Sequence, residues 1–234
     1  MPQVPMSQAP MSQETPVPYI VSMPKSRRSH SRKKRKTDSA SKARIVSSRV
    51  VYRGPAFWVS IDKVVEPGGV RARRDVVHHS GSVVILAVDD SGKTPRVLLE
   101  RQYRHAANGF LWELPAGRID PGEKELPAAK RELLEETGYA ASSWRRILHF
   151  YASPGFVAET MSVYLATGLR LGKAQPEEDE RIQTRMLPVA SALRMVLNET
   201  IRDSKTISSI LWLDHQIATH NDLRSLRPRT KSRQ

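Results

Sequence analysis

From about residue 44 the chain reads as strands: short apolar or alternating runs broken by turn residues. Residues 45–52 and 57–64 predict a strand pair joined through Gly54-Pro55. Strands are predicted again at 76–79, 83–88 and 97–103, with Asp89-Asp90-Ser91-Gly92 as the turn before the last. A short run at 111–114 leads into Gly117. The pattern then changes to a helical one over about 125–137, where Pro127 is tolerable because it lies in the first turn. Strands return at 145–151, 160–166 and 181–187, and helices at about 189–198 and 203–215 close the pattern. Strands first, one helix in the middle and helices last predict an α+β or α/β sandwich, with no internal repeat.

Composition restricts this picture. The 234 residues, 39% of them hydrophobic, suit one domain over 44–220, with tails at 1–43 and 221–234. Residues 1–24 are rich in Pro, Gln, Ser and Met and read as disordered. There are no cysteines, which excludes disulfides and thiolate-bound zinc. No apolar run reaches the roughly 18 residues of a membrane span, and residues 1–24 show no secretory leader pattern. The expected location is cytoplasmic.

The net charge of +14 sits at the ends. Residues 1–45 carry +8 and residues 224–234 carry +5, so the stretch between is nearly neutral. The run Arg32-Lys33-Lys34-Arg35-Lys36 suits nuclear import or a nucleic-acid tether, and suits a nonspecific solubilising tail better, because no aromatic residue interleaves it to stack on bases.

The chemistry is concentrated in residues 117–139, G-R-I-D-P-G-E-K-E-L-P-A-A-K-R-E-L-L-E-E-T-G-Y. A helix turns about 100° per residue, so Glu132 and Glu136 share a face, with Glu135 alongside. Carboxylates this close repel unless a cation lies between them. Oxygen-rich sites of this kind suit Mg²⁺ or Mn²⁺ and not zinc. A solvated acidic helix with i,i+4 pairs such as Arg131–Glu135 would explain neither flanking glycine nor the spacing of Glu123.

The same stretch resembles the box of the Nudix hydrolases. Gly117, Glu123, Arg131, Glu132, Leu133, Glu135, Glu136, Gly138 and Tyr139 fill that pattern in register, Tyr139 standing where an aliphatic residue is usual. The resemblance implies an α/β/α sandwich. It also implies metal ligands at Glu132, Glu136 and the carbonyl of Ala116, with Glu123 on metal-bound water, Glu135 as a helper and Arg131 orienting the glutamates.

Segments outside the box are similar to the ADP-ribose pyrophosphatase branch. They are Arg101-Gln102-Tyr103-Arg104, the run from Leu111 to Gly117, Ser153-Pro154-Gly155-Phe156 with Glu159, and the run from Ile201 to Thr206. Pro154 lies 16 positions past Gly138, where that branch has a diagnostic proline. One departure is Ala158, where the branch commonly has Asp. The likeness covers about residues 44–218.

By this resemblance the protein cleaves the pyrophosphate of ADP-ribose, or of a related nucleoside diphosphate sugar, to AMP and ribose 5-phosphate. Glu159 is the expected general base, on a loop that closes over bound substrate. Arg104 is the expected pyrophosphate clamp and Glu113 a ribose contact. Arg74 and Trp58 lie in early strands that, in the branch, pair across a homodimer and complete the neighbouring site. Trp58 is read either as core, the favoured reading, or as an adenine-stacking residue. His78, His79 and His105 are read as ordinary strand and loop residues. Other readings remain: a Nudix hydrolase for a dinucleotide, NADH or capped RNA, or a noncatalytic ADP-ribose sensor, which the complete box disfavours.

Overall fold

The computed structural model describes residues 42–172 and 182–220. Of the predicted tails, residues 1–41 and 221–234 lie outside the described residues. Three strands, β1 (Arg44–Arg53), β2 (Phe57–Val65) and β3 (Arg71–His79), form an antiparallel sheet in that order. A second, mixed sheet has seven strands. They are β4 (Ser82–Asp89), β5 (Arg96–Arg104), β6 (Gly109–Glu113), β7 (Ala116–Arg118), β8 (Tyr139–Tyr151), β9 (Thr160–Leu171) and β10 (Gln183–Pro188). Its main path runs β10-β5-β4-β9-β8, with β6 paired to β5 and β7 to β4. The helices are α1 (Glu125–Thr137), α2 (Val189–Leu197) and α3 (Ser204–His220).

β4 shows why this is a sandwich. Its run Val83–Val88 is apolar throughout because both faces are covered. Val84, Leu86 and Val88 enter one core with α2 and α3 residues such as Val189, Ile210 and Leu213. Val83, Ile85 and Ala87 enter a second core with Ala128, Ala129 and Leu133 of α1. Helices thus cover the two faces of one sheet, and the expected α+β sandwich is the architecture found. β4 and β9 pair in parallel, which makes the sheet mixed.

Several boundaries move, each for a physical reason. β3 begins at Arg71 rather than 76, because Arg71-Ala-Arg-Arg-Asp pairs through its backbone with β2 while its side chains stay largely exposed. β8 begins at Tyr139, directly after the Gly138 cap, where small polar residues hide the alternation. β9 continues to Leu171 and α3 to His220. β7 is a strand the pattern missed, since Pro115 and Gly117 read as bends. β10 begins at Gln183; position 181 is not among the described residues.

Candidate functional site

β7 is the wall on which the site is built. Ile85 N–H donates to the Pro115 carbonyl at 2.8 Å, and Ile119 N–H to that of Gly81 at 3.1 Å, on either side of the Val83–Gly117 pair. Antiparallel hydrogen bonding alternates, so the N–H and C=O of Ala116, lying between these positions, turn away from β4. Its N–H donates to Glu136 Oε2 at 3.1 Å. Strand alternation thus leaves the carbonyl that the resemblance names as a ligand turned away from β4. Gly117 leaves room for the Glu132 carboxylate, the end of which a Cβ there would meet at 2.0 Å.

α1 then delivers its carboxylates to this wall. Gly138, at φ +72°, ends the helix and donates its N–H to Leu134. Arg131 occupies the centre of charge. It grips Glu123 through Nε and Nη2 (3.2 and 3.0 Å), Glu132 through Nη1 (2.8 Å), Glu135 through Nη1 (3.0 Å), and the Arg118 carbonyl (3.2 Å). This is the cation required between clustered carboxylates. The hydrogen bonds with Glu123 do most to hold the guanidinium above its ordinary value, against a smaller cost of burial. The same bonds hold the Glu123 carboxyl below the usual range. Among the described residues no three His, Asp or Glu side chains stand in ready coordination geometry, because Arg131 holds Glu123, Glu132 and Glu135.

Two clefts flank β7. One, of about 280 Å³, is lined by Arg131, Glu132, Glu135 and Glu136. The other, of about 330 Å³, is lined by Ser82, Arg104, Glu159 and Lys205. His79, Ala116, Gly117 and Arg118 line both, so they adjoin along β7.

In the second cleft Ser82 Oγ donates to Glu159 Oε1 at 2.6 Å, and His79 Nδ1 lies 3.6 Å from the same oxygen. Gly81 N–H donates to that Nδ1 at 3.1 Å. The loop bearing Glu159 is stitched to β3: Val77 N–H donates to the Phe156 carbonyl and Ala158 N–H to the Val77 carbonyl, both at 2.8 Å. The loop expected to close over substrate is thus tied to β3 by its backbone on the N-terminal side of Glu159.

Opposite Glu159, Arg104 makes a two-pronged bond with Glu113, Nε to Oε1 at 3.0 Å and Nη2 to Oε2 at 3.1 Å. Lys205 Nζ donates to the same Glu113 and lies 3.0 Å from Asp203 Oδ1. The Glu113 side chain is only 2% exposed, so it stands behind Arg104 instead of facing the cleft as a ribose contact would. Burial alone would push its carboxyl up; the Arg104 hydrogen bonds and the Lys205 charge outweigh burial and leave it below the usual carboxylate range. For Arg104, burial works downward and Glu113 more than compensates, leaving it raised.

The two remaining predicted residues lie apart. Arg74 bonds Glu66 at 2.8 Å and lines a separate hollow with Tyr151 and Phe156. Trp58 belongs to neither core, which corrects its favoured reading; it stacks on His78 at 4.9 Å and lines another hollow beside Arg118. Ser82, His79, Arg118 and Lys205 line the clefts but were not predicted to. The only trace of Lys205 in the sequence was its place in the 201–206 run.

Comparison with known proteins gives a consistent result. A family model described as NUDIX domain matches residues 77–208. The ADP-ribose pyrophosphatase of Mycobacterium tuberculosis is 41% identical over 177 residues, 74% of this chain and 84% of that protein. That of Bacillus subtilis is 34% identical over 170 residues, 72% and 90%. A GDP-mannose pyrophosphatase of Salmonella typhimurium is 35% identical over 153 residues, 62% and 78%. A crystal structure of an ADP compounds hydrolase superimposes with a TM-score of 0.65 at 21% identity, covering 76% of this chain and 95% of that one, and so agrees in fold.

Proposed function

This chain belongs to the Nudix family, and we propose that it hydrolyses the diphosphate of ADP-ribose to AMP and ribose 5-phosphate. One observation carries the reading: the acidic cleft and the Arg104 cleft share β7 as a common wall. A diphosphate lying across β7 meets carboxylates suited to a divalent cation on one side and a guanidinium on the other. The substrate choice is supported by the two ADP-ribose pyrophosphatases among the relatives.

The residues fit a hard divalent cation. Glu132 and Glu136 would supply carboxylate oxygens and the outward Ala116 carbonyl a third, while Gly117 leaves room for the Glu132 carboxylate. Glu123 would hold water around the ion, and Glu135 would help. Mg²⁺ is our choice of cation, with Mn²⁺ as the alternative. Such an ion neutralises phosphate charge and lowers the pKa of a water bound to it. Arg131, bonded to Glu123, Glu132 and Glu135, would share their oxygens with such an ion and hold the carboxylates in place. Glu159, oriented by Ser82, takes the proton of the attacking water. Arg104 grips phosphate oxygens with its unshared N–H groups, and Glu113 fixes its rotamer.

The reading includes a cytoplasmic location and a homodimer. Every residue of β1 is exposed, Ile45 and Val46 at more than half, which supports a second copy packing there. Arg74 and Trp58 then have a role on that face, which a second copy would bring to its neighbour's site. No described helix is long and apolar enough to cross a membrane.

The test is kcat/KM across ADP-ribose, GDP-mannose, NADH, diadenosine polyphosphates and capped RNA with Mg²⁺. Preference for ADP-ribose supports the proposal. A preference for any other member leaves a Nudix hydrolase with a different substrate.

A further inference from the structure

Lys205 is a buried cation that the proposed chemistry does not use. Its side chain is 9% exposed, yet it lines the cleft that holds Arg104, Ser82 and Glu159. Burying an ammonium is costly unless it is paired, and two carboxylates pair it: Glu113 and Asp203. Both carboxylates are themselves fixed. Glu113 is clamped by Arg104. Asp203 Oδ2 accepts from the Thr206 N–H (3.0 Å) and hydroxyl (2.6 Å), while the Thr206 hydroxyl oxygen accepts from Leu114 N–H at 2.8 Å. The start of α3 is thereby bolted beneath the end of β6.

A salt bridge needed only for stability has no reason to open onto a cleft. An ammonium has three N–H donors; Glu113 accepts one, Asp203 Oδ1 lies 3.0 Å away as an ion-pair partner, and the side chain still lines the cleft, where donor capacity remains for a ligand. Glu113 thus carries two cations, Arg104 and Lys205, as a single carboxylate between them. Glu113 and Asp203 together balance the charge of the two cations, and both cations line the same cleft.

We propose that Lys205 is a substrate-contacting residue that, together with Arg104, binds the anionic diphosphate. This rests on the reading of the substrate as an ADP-ribose type of diphosphate. The segment that supplies Lys205 lies 92 residues from Glu113, so the site would be complete only once α3 has docked.

The test uses α,β-methylene ADP-ribose, which cannot be cleaved at the diphosphate, titrated into the full-length protein by calorimetry. Lys205→Met should raise the dissociation constant about 10- to 100-fold, the range for losing a hydrogen bond to a charged group. Lys205→Arg should recover most of that loss, and the salt dependence of binding should weaken in Lys205→Met. Where Met does not fold, Lys205→Gln removes the charge while keeping hydrogen bonds to the carboxylates, and should weaken binding similarly. Folded Met or Gln protein that binds the analogue like wild type overturns the proposal, as does an equal loss in the Arg variant. Wild-type protein that fails to bind the analogue sinks the substrate reading itself, a separate outcome.

Discussion

The two sides of β7 are built in opposite ways. On the acidic side every charged group comes from residues 118–136, and one arginine holds three glutamates within a single turn-and-helix unit. On the basic side Arg104 comes from β5, Glu113 from β6, Lys205 from α3 and Glu159 from the loop before β9. The first is a local device, fixed once α1 forms. The second exists only when distant segments have packed. Local chemistry leaves a spaced motif in the sequence, while assembled chemistry leaves scattered residues that acquire meaning from their neighbours.

Mutations can separate the two sides. The largest effect is expected from Glu136→Gln, which removes a proposed cation ligand: kcat should fall about 10³-fold with little change in unfolding midpoint. Retained turnover would place the cation elsewhere. Glu113→Ala should act on stability, leaving Lys205 and Arg104 without their shared counterion, at a cost of about 3 kcal/mol by denaturant unfolding. A cost below about 1 kcal/mol would mean that the buried pair is worth no more than an exposed one.

Gly117→Ala should show the reverse profile. The new Cβ collides with the end of a flexible glutamate, which can swing aside, so stability should change little while turnover falls about 10²-fold. Val77→Pro removes the N–H that holds the Phe156 carbonyl and should lower kcat about tenfold by loosening Glu159. Unchanged kcat would show that the anchor does not orient the base.

The smallest effect concerns pH. The Glu113 carboxyl is lower in the folded protein than its ordinary value of 4.5. A group depressed on folding contributes stability that is fully present above the unfolded value and is lost as pH falls through the folded one. The stability gap between wild type and Glu113→Gln should therefore be constant near neutrality and shrink on acidification below about 4.5. A gap that widens in acid would reverse the sign of this contribution.

The same contrast explains what was legible in the sequence. Arg131 and the helix glutamates could be read because a helix converts spacing into position, and Gly117 and Glu123, which precede α1, because they fill the Nudix pattern. The apolar run of β4 could be read because both of its faces are buried. β7 could not, since Pro115 and Gly117 carry the signature of a bend while the ladder with β4 is made by backbone alone. The tie between Glu159 and β3 is likewise a matter of N–H and C=O groups, which side-chain identity does not encode. Trp58 read as core because it is large and apolar; its position beside His78 at an open hollow follows from the lie of β2 and β3. Glu113 and Lys205 acquire their roles from each other, and no local pattern joins positions 92 residues apart.

In the proposed reaction one diphosphate is served by both sides of β7. Steady-state kinetics of Arg104→Ala with ADP-ribose and Mg²⁺, against wild type, test it most directly. KM should rise about tenfold or more, with AMP and ribose 5-phosphate still formed in equal amounts. An unchanged KM and kcat in folded Arg104→Ala would mean that the substrate never reaches the basic cleft, and would contradict the account.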